Sequence, residues 1–170
     1  MPTYYSPAGN PEVWDKKPEG YITQADWEKA RLAEYNSPER VAARKVAEID
    51  EHTSRKILQG FYYTVDGATY HFSYDRDDQQ NFADTANVAL LAQMGGKGLP
   101  ESVAWNAYKN WKDGQGELVR LTFTAESFLA LYTGGAVAHK AARMAEGGAR
   151  KAALAEAVAR GATAEELEAI

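Results

Sequence analysis

The chain has 170 residues, a net charge of −5, 45% hydrophobic and 25% charged residues, the size and balance of one globular domain with appendages. The acidic balance argues against binding to a phosphate backbone, so no nucleic-acid partner is expected. Without cysteine, disulfides, thiolate chemistry and the Cys-rich kinds of zinc site are excluded, and no apolar run approaches the roughly 18 residues of a membrane span.

The opening MPTYYSPAG is not a charged-then-apolar leader, so no secretory signal is expected and synthesis in the cytoplasm is. Tyr4-Tyr5, the Pro/Gly/Asn stretch 6–11 and Val13-Trp14 predict two short extended pieces around a turn. Thr23 is placed to cap a short helix with Asp26 at its positive end. Ser37-Pro38-Glu39 starts a longer helix, with Ser as cap and Pro in the first turn. That helix should run to Gln59 and stop at Gly60. Ala42, Val46, Ile49, Thr53 and Ile57 fall on one stripe, and Glu51–Arg55 is a favourable pair one turn apart.

The segment Gly60–Ser73 reads as a β-hairpin. Asp66-Gly67 suits a two-residue turn with positive φ at both positions. Zipping outward from it pairs Val65–Ala68, Thr64–Thr69, Tyr63–Tyr70, Tyr62–His71 and Phe61–Phe72. One face then carries Phe61, Tyr63, Val65, Ala68, Tyr70 and Phe72, and the other carries Tyr62, Thr64, Thr69, His71 and Ser73. The preceding helix is the expected cover for the aromatic face.

Asp75, Asp77 and Asp78 open a second helix to about Met94, with Phe82, Ala86, Ala89, Leu90 and Met94 as its buried stripe. Gly95-Gly96-Lys97-Gly98 and Pro100 break it. Residues 103–123 predict a second hairpin turning within 113–116, its register unassigned. Val103, Trp105 and Ala107 alternate with polar neighbours, and Val119, Leu121 and Phe123 share a face. Thr124 caps a helix that brings Phe128, Leu129 and Tyr132 inward. Gly134-Gly135 should loosen it. Residues 136–160 are Ala-rich and helix-favouring, and Gly147-Gly148 should kink or end that helix. Thr163-Ala164-Glu165-Glu166 is a capping box. Poor in large apolar residues, the tail should be either solvated or packed on another copy or a partner, which leaves homo-oligomerisation through the C-terminal helix open.

These elements predict an α+β fold ordered helix–hairpin–helix–hairpin–helix, with a small antiparallel sheet and helices on one face. The expected organisation is an aromatic N-terminal segment with a short helix over 1–36, a core α+β domain over 37–145 and an Ala-rich helical tail over 146–170.

Chemistry-bearing patterns are sparse. A calcium loop from Asp75 needs Gly at Gln80 and Glu at Ala86, and has neither. A phosphate loop at 95–98 lacks its first Gly, which would fall at Leu91, and has Gly98 where Ser or Thr must hold magnesium. His52, His71 and His139 lie on separate elements without metal-ligand spacing, and no serine sits in a nucleophile-elbow context. Carboxylates are plentiful, but nothing singles out an acid–base pair. No catalytic residue, metal or cofactor is therefore expected, and the chain reads as a non-enzyme. Ten Tyr and four Trp are more telling, because these side chains make adhesive surfaces. Tyr4, Tyr5, Trp14, Tyr62 and Trp111 have no evident core slot and are the candidate partner-binding residues.

The stretch KVAEIDEHTSRKILQGFYYTVDGATYHFSYDRDDQQNF, running on to LTFTAESFLALYTGGAVAHKAAR, resembles a domain of unknown function found in tailed-phage tail proteins and tail-fibre assembly proteins. The likeness lies in Gly60-Phe61, Gly67 with Tyr70-His71-Phe72-Ser73, Asp78-Gln79 with Asn81, Trp105, and Leu121-Thr122 with Ala125-Glu126 and Phe128-Leu129-Ala130-Leu131. It covers about residues 40–145. The opening YYSPAGNPEVWDKKPEGYITQADW is similar to the N-terminus of tail-fibre assembly proteins. The resemblance implies a non-catalytic chaperone or accessory that binds a phage or prophage tail-fibre or tail protein in the bacterial host cytoplasm during assembly. The alternative is a structural tail or baseplate component retained in the virion tail. A small hydrolase acting on host glycan is a weaker third reading.

Overall fold

The computed structural model describes residues 1–97 and 100–170. They form two compact units, one of residues 1–48 with 150–170 and one of residues 49–149. The fold is α+β with small antiparallel sheets.

In the first unit, β1 (Thr3–Tyr5) pairs with β2 (Pro11–Val13) and with β3 (Ile22–Thr23), giving a sheet ordered β2-β1-β3. The first two strands match the extended pieces read from the sequence. Helix α1 (Gln24–Tyr35) starts where Thr23 accepts the Asp26 N–H. Helix α2 (Pro38–Leu58) starts at Ser37, whose carbonyl accepts the Val41 N–H at 2.9 Å. Ile49 and Ile57 of the expected stripe are buried, but its start differs. Val41 and Lys45 are buried, while Val46 is 39% exposed. Lys45 occupies an inward position because its ammonium finds partners there. It donates to the Glu168 carbonyl at 3.1 Å and pairs with the Glu48 carboxylate at 3.1 Å, which offsets the cost of taking the charge out of water.

The tail does not lack a core. Helix α5 (Ala138–Ala159) contributes Leu154 and Ala157 to buried positions, and α6 (Ala164–Glu168) contributes Leu167. The Thr163 capping box forms as predicted, and the Thr163 amide and hydroxyl hold the Glu166 carboxyl below its usual pKa. Leu154, Ala157, Ala162 and Leu167 of the tail are thus buried within the chain, while Val158 is 44% exposed.

In the second unit, β4 (Phe61–Val65) and β5 (Ala68–Phe72) pair in the predicted register, Phe61 opposite Phe72 through Val65 opposite Ala68. Asp66 and Gly67 have φ of 49° and 79°, the backbone of a turn matched to strand twist. Helix α3 (Arg76–Gln93) starts with the Asp75 carboxylate accepting the Asp78 N–H at 2.8 Å. The break follows Met94, and Gly98 of the predicted breaking sequence lies outside the described residues. β6 (Ser102–Lys112) and β7 (Gln115–Thr124) complete a sheet ordered β4-β5-β6-β7. Their turn is also two residues, Asp113-Gly114, and a bulge between Lys109 and Lys112 places Asn110 at φ 51°.

Helix α4 (Ala125–Leu131) continues through a π-helical turn, Tyr132–Val137, into α5. The glycine pair at 134–135, expected to loosen the helix, lies in this wider turn. A Cβ on Gly135 would lie 2.5 Å from the Phe61 ring, so glycine is what lets the helix reach the strand. Gly147 does not end α5. A Cβ there would meet the Thr53 hydroxyl at 2.3 Å, so the residue permits close approach of α2.

The inward faces of both hairpins meet α3, α4 and the π turn. Phe61, Phe72, Phe82, Phe123, Phe128 and Leu131 form the centre of this core. The expected roof, α2, supplies only Ile57 to it, because this helix ends at the strand and its neighbours Lys56 and Leu58 face outward. The α3 stripe is also shorter than predicted. Phe82, Ala86 and Ala89 are buried, whereas Leu90 and Met94 are 50% and 77% exposed.

Candidate functional site

The corner where α2 hands over to β4 collects side chains that the sequence scatters over 80 residues. It begins with the last carbonyls of α2, which a helix leaves without internal partners. The His139 Nε2 donates to the Ile57 carbonyl at 3.1 Å, and the His71 Nε2 donates to the Gln59 carbonyl at 2.8 Å. Two histidines that looked unrelated thus share one task, capping the negative end of α2.

His71 is 3% exposed. Trp111 stacks flat on its ring, with centroids 4.1 Å apart and planes 4° from parallel, and Tyr62 meets it edge-on at 5.2 Å. Tyr108, directly across the β5–β6 pair, lies 4.9 Å from the Trp111 ring. The bulge in β6 is what brings Trp111 here. Simple alternation from Trp105 and Ala107 puts position 111 on the core face, and one extra residue turns it to the outer face. The Tyr62 hydroxyl fixes the pair by donating to the Trp111 carbonyl at 3.3 Å.

Because the Nε2 of His71 carries the proton given to Gln59, its Nδ1 is a bare lone pair, buried and without a partner among the described residues. Burial is the main cause that pushes the His71 pKa below the usual histidine value, the Gln59 bond opposing it and His139 adding to it. The fold favours neutral His71, so its contribution to stability is complete above the ordinary value of about 6.5. It is lost as the pH falls from there to the depressed folded value. The His71 ring resonances should titrate with a midpoint below 6.5; an NMR titration centred at the ordinary value would contradict this placement.

Two clefts flank the corner. One, of about 590 Å³, is lined by Leu58, Gln59, Gly60, Tyr62, His71, Ser73, Asp75, Trp111 and Gly114. The other, of about 400 Å³, is lined by Lys56, Gln59, Gly60, Phe61, Tyr62, Gly134, Gly135, His139 and Arg143. Gln59, Gly60 and Tyr62 belong to both walls. The outer face of the sheet beyond them is open, with Tyr62 60% and Leu118 58% exposed.

Of the five residues proposed from sequence for partner binding, the structure brings Tyr62 and Trp111 together. Tyr4, Tyr5 and Trp14 belong to the other unit. There the Tyr5 ring stacks on Trp27 at 4.1 Å, and the Trp14 indole donates to Glu12 at 3.2 Å while remaining 46% exposed. Sequence reasoning missed Tyr108, whose place in the cluster depends on strand pairing across 37 residues (His71 with Tyr108). It also missed the histidine caps, for which no local signal exists. Among the described residues, no group of three or more His, Asp or Glu could hold a metal ion, and no helix is long and apolar enough to cross a membrane.

No curated protein and no solved structure matches the chain. A family model described as a domain of unknown function, DUF4376, matches residues 40–170. The match takes in the whole α2–β4 corner and extends through the Ala-rich tail, leaving Tyr4, Tyr5 and Trp14 outside it. By that match, the protein belongs to the DUF4376 family.

Proposed function

We propose that this protein is a non-catalytic assembly factor for a phage or prophage tail fibre, binding the fibre polypeptide in the host cytoplasm before the fibre closes. The observation that carries the reading is the exposed Tyr62 beside the Trp111–His71 stack. Tyr and Trp dominate the energetics of protein interfaces because they bury large rigid area with a polar tip. Here they stand on paired strands, which keeps their positions fixed and lowers the entropy cost of binding. The sequence resemblance to tail-fibre assembly proteins supplies the biological setting.

The mechanism is a surface one. Fibre chains expose unpaired strands before they trimerise, and such edges aggregate. In the four-stranded sheet β4, which carries Tyr62, has β5 as its one strand neighbour among the described residues, so a strand edge lies beside the aromatic corner. An extended fibre segment can pair with such an edge while its side chains reach the aromatic corner. Co-expression with a tail-fibre polypeptide from the same genome should raise the yield of soluble trimeric fibre. A fibre that trimerises equally well without the protein would overturn the assembly reading. Mass spectrometry of purified particles should find the protein absent; its retention there would assign it instead to the tail or baseplate structure.

A further inference from the structure

We propose that the cleft between Lys56, His139 and Arg143 is a binding site for a single oxyanion, a carboxylate or a phosphate group. The inference does not depend on the assembly reading. Arg143 stands one turn from His139 on α5 and so projects from the same face of that helix; His139 spends its Nε2–H on the Ile57 carbonyl, so Lys56 and Arg143 supply the donors. Lys56 is held beside them from α2, because the Ile57 that His139 binds is the next residue. The cleft they line has no carboxylate in its wall, in a chain whose net charge is −5. Lys56 has no ion-pair partner among the described residues.

The obvious competitor is Glu146. Both of its oxygens take the same nitrogen of Arg143, Nη1, at 2.8 Å. The second terminal nitrogen and Nε are left to donate, and a guanidinium offers five N–H groups in all. Glu146 is 59% exposed in this pair, so solvent screens the attraction and a ligand in the cleft competes with little. The negative end of α2 would oppose an anion, but His71 and His139 occupy its last carbonyls. The remaining wall, Gly134 and Gly135 of the π turn and the Gln59-Gly60 backbone, leaves room for the ligand's substituent. Helical π turns of this kind are found at functional sites.

The test is an NMR titration of the full chain with inorganic phosphate and, separately, with acetate, at constant ionic strength set by chloride. Saturable shifts are expected at Lys56, Gly134, Gly135 and His139 with at least one of the two anions. The stronger of them identifies whether the site suits a phosphate or a carboxylate. Lys56→Met and Arg143→Met should each weaken that binding by about ten-fold, the worth of one charge-assisted hydrogen bond, and Glu146→Gln should tighten it. The Met variants' own spectra report whether the fold is intact. Absence of saturable local shifts with both anions, or binding unchanged in folded Lys56→Met and Arg143→Met, would overturn the proposal.

Discussion

Phe82→Ala should destabilise the protein by about 3–5 kcal/mol, a large share of the roughly 5–15 kcal/mol that holds a domain of this kind folded. The ring is fully buried and touches four others. Trp105 lies at 4.3 Å, Phe61 and Tyr74 at 5.7 Å, and Phe128 at 5.8 Å between centroids. It is the point where α3, α4, the first hairpin and the second hairpin meet. Its loss leaves a cavity that rigid strands on two sides cannot close, so the transfer and cavity costs add. Met94→Ala, on the same predicted stripe but 77% exposed, should change stability by less than about 0.5 kcal/mol. Chemical denaturation of the two variants separates the observed core from the expected one. Equal losses would mean the sequence-derived stripe is right and this packing wrong.

Gly60→Ala should cost between about 2 and 5 kcal/mol, the sum of left-handed strain and overpacking. The residue has φ +80°, and an added Cβ would lie 2.2 Å from the Phe72 carbonyl oxygen and 2.8 Å from the His71 Nε2. A flexible side chain could move aside, but a ladder carbonyl cannot. The substitution would push apart the first strand pair and the His71–Gln59 cap together. Gly67→Ala provides the comparison. It shares the positive φ, at +79°, but nothing lies within 4 Å of its Cβ, so it should cost only the conformational part, about 1–2 kcal/mol. Similar losses for both, read by denaturation, would show that the α2–β4 corner is not tightly closed.

The first hairpin was fully legible because its turn dipeptide and its alternating rings specify one register between them. Asp113-Gly114 is the same signal, yet the second register was hidden by the bulge at Asn110, which no dipeptide announces. In α2 the predicted Ile49 and Ile57 are buried, but Val46 is exposed and Lys45 takes the inward place, which a pattern of hydrophobicity cannot anticipate because the lysine's partner, Glu168, lies 123 residues away. By propensity alone Gly135 read as loosening its helix and Gly147 as kinking or ending it. Their real reasons, the Phe61 ring and the Thr53 hydroxyl, are tertiary. At the corner itself, Tyr62 and Trp111 stood out as aromatics without a core slot. Their convergence on His71 did not, since it rests on the bulge and on strand order.

The claim on which the functional account depends is that this aromatic corner meets the fibre chain. Calorimetric titration of fibre polypeptide into the wild type, Tyr62→Ala and the triple variant of Tyr4, Tyr5 and Trp14 to Ala tests it directly. Tyr62 is exposed and makes one hydrogen bond from its hydroxyl, so its removal leaves the core in place. Tyr62→Ala should weaken binding by about ten-fold or more, as the loss of an interface anchor does. Wild-type affinity in a folded Tyr62→Ala protein would contradict the account, and loss confined to the triple variant would move the contact to the N-terminal sheet.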